Sequence, residues 1–208
     1  AFVLRIAPSE VDRLDEALKD DQVIIGWSRA PELLDPTLDW NRFREVLRNH
    51  YYSSENSLRR AGNAAGHMWR FIREMTPGDL VVVPHGPGFY VAQVTGNVGH
   101  DASRVTEDTA FRRKVAWLNQ KQPIPRTLAR AALQSRMKTQ GTCAYASDLL
   151  EEIQECLGLA QREEHPTFQS DLHKRLVENT LGEIRSGRME SYGFENLLKS
   201  ILESLGAQ

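Results

Sequence analysis

Thr76-Pro77-Gly78-Asp79-Leu80-Val81-Val82-Val83-Pro84-His85-Gly86-Pro87-Gly88-Phe89-Tyr90-Val91-Ala92-Gln93-Val94-Thr95 decides the fold class. Thr76 to Asp79 is a turn that feeds a β-prone apolar run, Leu80 to Val83. Pro84 to Gly88 is confined to a tight connection by its Pro and Gly, and Phe89 to Thr95 is a second β-prone run. Two strands joined so closely pair antiparallel as a hairpin, because a parallel pair needs a crossover of a dozen or more residues. A doubly wound parallel sheet is therefore disfavoured. Alternation sets Tyr90, Ala92 and Val94 on one face of the second strand and Phe89, Val91 and Gln93 on the other. One of Phe89 and Tyr90 then faces the interior and the other is free for contacts.

Working outward, Phe2 to Ile6, Gln22 to Trp27, Phe111 to Leu118 and Thr142 to Ala146 are expected strands. Helices are expected after Pro8-Ser9-Glu10, with Ser9 as N-cap, and after Thr37 or Asp39, carrying Trp40, Phe43, Val46 and Leu47. Others are expected over His67 to Met75, over Thr127 to Met137, and from Asp148 to Leu157 behind Ser147. Tyr51 to Asn63 is polar and irregular or a short helix. The expected class is α+β: a small mixed β-barrel with inserted helices over residues 1–157. Gly158 to Pro166 is then a linker, and the C-terminal segment to 208 is helical, with helices over Thr167 to Ile184 and Ser191 to Leu205.

Charge divides the same way. Residues 1–150 hold 20 Lys and Arg against 17 Asp and Glu, while residues 151–208 hold 6 against 11. No acid occurs from Thr109 to Ser147, a stretch with eight basic residues, and seven Arg lie between Arg42 and Arg73. Basic stretches interleaved with Trp and Tyr suit a polyanion, whereas each stretch alone also suits an ordinary solvated surface. No apolar run approaches the roughly 20 residues of a membrane span, so no membrane partner is expected. Cys143 and Cys156 form neither a CxxC nor a zinc pattern, which makes a reducing cytoplasm the expected compartment. None of the six His has a metal-ligand spacing, and no GxSxG, P-loop or GxGxxG occurs. No catalytic residue, metal or cofactor is expected in the chain itself.

Several pieces in order resemble a known family. They are the Pro-Ser-Glu after the first strand, Trp69-Arg70-Phe71-Ile72-Arg73-Glu74-Met75, Pro77-Gly78-Asp79-Leu80-Val81, and Val91-Ala92-Gln93-Val94-Thr95-Gly96. Arg113, Val115 and Trp117 on one basic strand and Pro123-Ile124-Pro125 complete the set. Together they resemble the PUA-like superfamily and its EVE-type members, over residues 1–157. In the tail, Tyr192-Gly193-Phe194-Glu195-Asn196-Leu197-Leu198 and Leu202 to Ala207 are similar to the first helix of Mrr-type restriction endonuclease domains. The first resemblance implies a DNA-binding reader that extrudes a modified base. The second implies that the reader is the N-terminal part of a modification-dependent restriction endonuclease. The Asp and Gln-x-Lys of that nuclease, with their Mg2+, do not occur here. An RNA-binding PUA-like module, and an interaction domain that dimerises through its C-terminal helices, are the alternatives.

Such readers need aromatic walls for stacking, polar groups for the base edge and cations for the flanking phosphates. Trp27 at the end of a buried strand is the foremost wall, with Gly26 allowing close approach and Ser28 donating to the base edge. Trp69 and Tyr90 are further walls, whereas Trp40 and Trp117 are assigned to the core. Arg70, Arg73, Arg112 and Arg113 are phosphate candidates. Asn63 stands where EVE-type members carry an Asn near the pocket, and the aromatic that follows it there is Ala64 here.

Overall fold

A computed structural model describes residues 1–138 and 141–162 of the chain. Its centre is the expected hairpin. The first seven elements in chain order are β1 (Phe2–Leu4), α1 (Leu14–Asp20), β2 (Gln22–Ile25), α2 (Trp40–Tyr51), α3 (Arg59–Trp69), β3 (Leu80–His85) and β4 (Gly88–His100). They are followed by β5 (Phe111–Trp117), β6 (Ile124–Pro125), α4 (Ala131–Lys138), β7 (Cys143–Tyr145) and α5 (Leu150–Gln161). The strands form one sheet in the order β2-β5-β4-β3-β1-β7, with β6 paired to the start of β4. β3 and β4 pair antiparallel, and the Leu80↔Gln93 to His85↔Gly88 register closes the hairpin tightly. β1 lies parallel to β3, and the other pairings are antiparallel. The fold is thus α+β, a mixed sheet curled into a half-barrel with helices against it.

The curl has a local cause. β4 runs from Val94 to Val98 where β5 runs only from Val115 to Arg113, so extra residues bulge out at Gly96 and Asn97. Such a bulge bends a strand and strengthens its twist. Period-two alternation then gives the sheet two apolar faces. Leu4, Val81, Val83, Ala92, Val94 and Phe111 join Phe43, Leu47, Met68 and Phe71 of the α2–α3 side in a first core. Val3, Leu80, Val82, Phe89 and Val91 join Leu133 and Met137 of α4 and Ile153 and Cys156 of α5 in a second. Phe89 and Tyr90 divide as alternation requires: Phe89 is fully buried in the second core, and Tyr90 is half-buried against the first.

Several boundaries differ from expectation. Ser9 caps no helix: Pro8–Glu10 is one tight turn in which Ser9 and Glu10 take left-handed φ values of 49° and 65°. α1 starts instead where Asp12 Oδ1 accepts from the Leu14 N–H at 2.9 Å. Asp39 is the cap of α2, accepting from the Arg42 N–H at 2.9 Å. The third helix begins eight residues before His67, because Ala61, Ala64, Ala65 and Met68 supply a buried stripe within a polar stretch. It then widens at Arg70–Glu74 into a π turn, closed by Met75 N–H to Arg70 O at 2.9 Å. Ser147 Oγ accepts from the Ala1 nitrogen at 3.0 Å rather than capping α5, and α5 runs past Gly158 to Gln161. The expected helices over 167–184 and 191–205 lie outside the described residues.

Candidate functional site

β2 ends at Ile25, and the chain turns sharply through Gly26, Trp27 and Ser28. Trp27 holds φ at 62°, in the left-handed region, where a bulky side chain is a rare outlier. Around it opens a cleft of about 450 Å³ lined by Ser9, Glu10, Trp27, Tyr51, Tyr52, Arg60 and Asp108 among others. Ser9, Glu10, Trp27 and Asp108 account for four of the eight described non-glycine residues with positive φ. Backbone in such conformations costs on the order of 1–3 kcal/mol per residue and persists where the surroundings over-determine it, most often around functional sites.

Hydrogen bonds fix each wall. Trp27 Nε1–H donates to Tyr52 Oη at 3.0 Å, and the His67 ring stacks against the indole with centroids 6.2 Å apart. Tyr51 Oη accepts from the Arg29 N–H at 2.7 Å. Because each phenol oxygen already accepts, its O–H remains available as a donor. Burial pushes the Tyr51 phenol up from its ordinary value, keeping it protonated. Asp108 clamps the turn: Oδ1 accepts from the Ser28 N–H at 2.8 Å and Oδ2 from the Ser9 hydroxyl at 2.9 Å. A Cβ on residue 26 would stand 2.7 Å from Asp108 Oδ2, so glycine is what admits the carboxylate. The Glu10 carboxylate has no hydrogen bond or ion pair to any described residue and is left as an acceptor. The guanidinium of Arg29 lies over the Tyr51 ring at 4.3 Å and that of Arg60 over Tyr52 at 5.5 Å.

The other site candidates disperse. Ser28 is fully buried, with Oγ accepting from the Ala110 N–H at 2.9 Å, so it holds the turn from behind and does not reach the cleft. Asn63 is exposed on α3 and does not line the cleft. Ala64 beside it is only 3% exposed, in a core position with no room for an aromatic. Trp69 packs edge-on between Trp40 and Phe43, with centroids at 5.5 and 5.1 Å. Trp40 is the exposed member at 39%, reversing the expected order of those two. Trp117 is core as expected, its N–H donating to Ala17 O at 3.2 Å. Tyr90 lies against Trp117 and His85 at a separate small hollow. Arg70 spans from Cys143 O at 3.2 Å to the Tyr145 ring, and Arg73 donates to Leu33 O and Asp35 O.

Arg112 and Arg113 are buried in the fold and line no part of the Trp27 cleft. Arg112 is 8% exposed, bonded to Thr109 O and paired with Glu16 and Asp20. Arg113 is 3% exposed and donates to Phe71 O, Ile72 O and Gly96 O at 2.8, 3.2 and 3.1 Å. Burial lowers its pKa to about 10. Both serve the fold. The cleft residues that sequence reasoning missed are Tyr51, Tyr52, Arg60, Asp108 and Glu10. The Tyr51-Tyr52 pair ending the Trp40 helix was a readable signal, whereas Asp108 sits in a loop with no local signature.

Cys143 and Cys156 are buried and free, and burial pushes both thiols up to about 12. Among the described residues no three His, Cys, Asp or Glu gather into a metal-binding group, and no helix is long and apolar enough to cross a membrane. No curated protein and no solved structure matches the chain. Residues 5–142 match a family described as Domain of unknown function (DUF8426), a span that includes β2, β5 and every residue that lines the cleft. By that match, the chain belongs to the DUF8426 family.

Proposed function

We propose that the Trp27 cleft receives one base extruded from DNA, and that the domain is a PUA-like, EVE-type reader of a modified base. The observation that carries this is the cleft itself: three aromatic walls and two carboxylates on a turn of strained, hydrogen-bonded backbone. An aromatic wall stacks a base at about 1–3 kcal/mol. The two phenol O–H groups donate, and the Asp108 and Glu10 carboxylates accept, so both polarities of a base edge find partners. A cationic ligand fits less well, because guanidinium groups already lie over the Tyr51 and Tyr52 rings. The tail's similarity to Mrr-type nucleases supports placing this reader at the front of a modification-dependent restriction endonuclease acting in the cytoplasm. Cleavage and its Mg2+ would belong to that nuclease, outside the described residues.

Fluorescence polarisation tests the proposal with one oligonucleotide sequence made as DNA and as RNA. The DNA carries cytosine, 5-methylcytosine, 5-hydroxymethylcytosine or N6-methyladenine at one position. A preference for one modified DNA that is lost in Trp27→Ala is the expected result. A preference for RNA moves the assignment to an RNA-binding PUA-like module, and equal weak binding to every probe overturns a base reader.

A further inference from the structure

Glu10 and Ala7 line a second groove as well as the cleft, so the two adjoin at the Pro8 turn. This groove, of about 420 Å³, is flanked by Arg5, His85, Arg126 and Lys138. Its cations differ from those that the fold itself pairs with carboxylates. Arg13, Arg60, Arg104, Arg112, Lys121 and Arg136 each have a carboxylate partner. Arg5, Arg126 and Lys138 have none among the described residues. Arg126 spends only Nε, on Gly88 O at 3.3 Å, and Arg5 one terminal nitrogen, on Met137 O at 3.3 Å. Lys138 is exposed and makes no hydrogen bond to a described residue. Two carboxylates also line the groove. Asp12 is committed on both oxygens, to the Leu14 N–H and to His85 Nε2, each at 2.9 Å. Glu10 stands on the seam with the cleft.

We infer that this groove holds the phosphodiester backbone beside the extruded base, with Arg5, Arg126 and Lys138 contacting phosphate oxygens. The inference rests on the base-cleft proposal above. It assigns the phosphate contacts to a different part of the chain from the Arg-rich strand β5. Unpaired cations converging from the first strand's end, the β6 end and the α4 end supply charge from three elements. A neutral base has no use for that charge, and a strand of phosphates does. An extruded nucleotide needs both surfaces side by side, since its base leaves the stack while its backbone stays on the strand.

Salt titration of the full 208-residue chain separates the two sites. The probe is whichever labelled single strand of the panel above binds wild type best at low salt. Arg126→Ala with Lys138→Ala is expected to weaken binding about tenfold, and to reduce the slope of log affinity against log salt by about 0.7 for each lost contact. Arg126→Ala with Lys138→Arg should recover the part of the slope that Lys138→Ala loses. Trp27→Ala is expected to weaken binding with the slope unchanged. If Trp27→Ala weakens binding while the double variant keeps wild-type affinity and slope, the groove inference is overturned and the base cleft stands. If the double variant lowers the slope while Trp27→Ala has no effect, the groove stands and the base cleft fails. Absence of binding by wild type overturns both. Thermal melts of each variant confirm folding, and Lys138, exposed at the end of α4, gives a single-variant check that does not disturb packing.

Discussion

Gly26 is held to glycine by its neighbour rather than by its own φ. The Asp108 carboxylate occupies the place where a Cβ would project, at 2.7 Å, and that carboxylate bridges Ser9 and Ser28. Gly26→Ala must therefore push Asp108 off one or both partners. Overpacking of this kind costs about 1–3 kcal/mol, so the melting temperature should fall and oligonucleotide affinity with it. An unchanged melt would show that Asp108 swings aside freely and that the turn is not clamped. His67 gives a second test at this scale. Its burial behind Trp27 lowers its pKa below the ordinary 6.5, against the raising effect of its bond to Cys143 O, with Arg70's charge adding to the lowering. The unfolded chain thus takes up a proton that the folded chain resists. Stability from this residue is complete above about pH 6.5 and is lost as pH falls below it toward the folded value. Melting temperature should drop on going from about pH 7.5 to about pH 5.5 in wild type, and drop less in His67→Gln. Equal slopes in the two proteins would remove His67 from the account.

Arg113 shows what an element asks of a residue that its sequence neighbourhood disguises. In Phe111-Arg112-Arg113-Lys114-Val115 the three cations look like one solvated run. β5 nevertheless turns Arg113 inward between Phe111 and Val115, where its fork closes the carbonyls of the π turn and of the β4 bulge. Arg113→Ala leaves those carbonyls buried without donors, at roughly 1–3 kcal/mol each before relaxation. A loss of about 3 kcal/mol in denaturant stability is expected, and Arg113→Lys should recover little of it, because one ammonium cannot span the fork. A variant that melts like wild type but binds DNA less well would return Arg113 to the phosphate contacts. The elements themselves were legible where period and punctuation agreed. The Leu80–Thr95 hairpin, the Asp39 cap and the core position of Trp117 follow from alternation, capping chemistry and β-propensity. Legibility failed where a tertiary partner decides the outcome. Ser9 sits before an apolar stripe like any N-cap, yet its hydroxyl answers to Asp108, 99 residues away. α3 begins in a Gly- and Asn-containing stretch that only its packing makes helical. Trp27 was legible as a cleft wall because it closely follows a buried strand, whereas Tyr51, Tyr52 and Asp108 reach it from other elements by folding alone.

One sheet carries two cores, and all four Trp report on only one of them. Trp117 lies in the first core, Trp27 and Trp69 pack against it, and Trp40 meets Trp69 edge-on. The second core, under α4 and α5, contains Phe89 but no Trp. The two faces share backbone, since Val81 and Val82 are successive residues of β3 that point to opposite cores. A domain of this size melts as one unit when such an element is common to both layers. Phe89→Ala removes a fully buried ring from the second core, a change that costs about 3–5 kcal/mol. If the sheet couples the layers, Trp fluorescence and far-UV circular dichroism should record the same lowered midpoint, although no Trp touches Phe89's core. The site lies on the first face, so coupling also means that damage beneath α4 reaches the cleft only through global unfolding. Below the transition, the Trp27-dependent preference among the probes should then match wild type, whatever the loss at Arg126 and Lys138 beside the damaged layer. A fluorescence midpoint that stays in place while circular dichroism splits into two steps would show that the α4–α5 layer melts separately, and that the cleft rests on the first core alone.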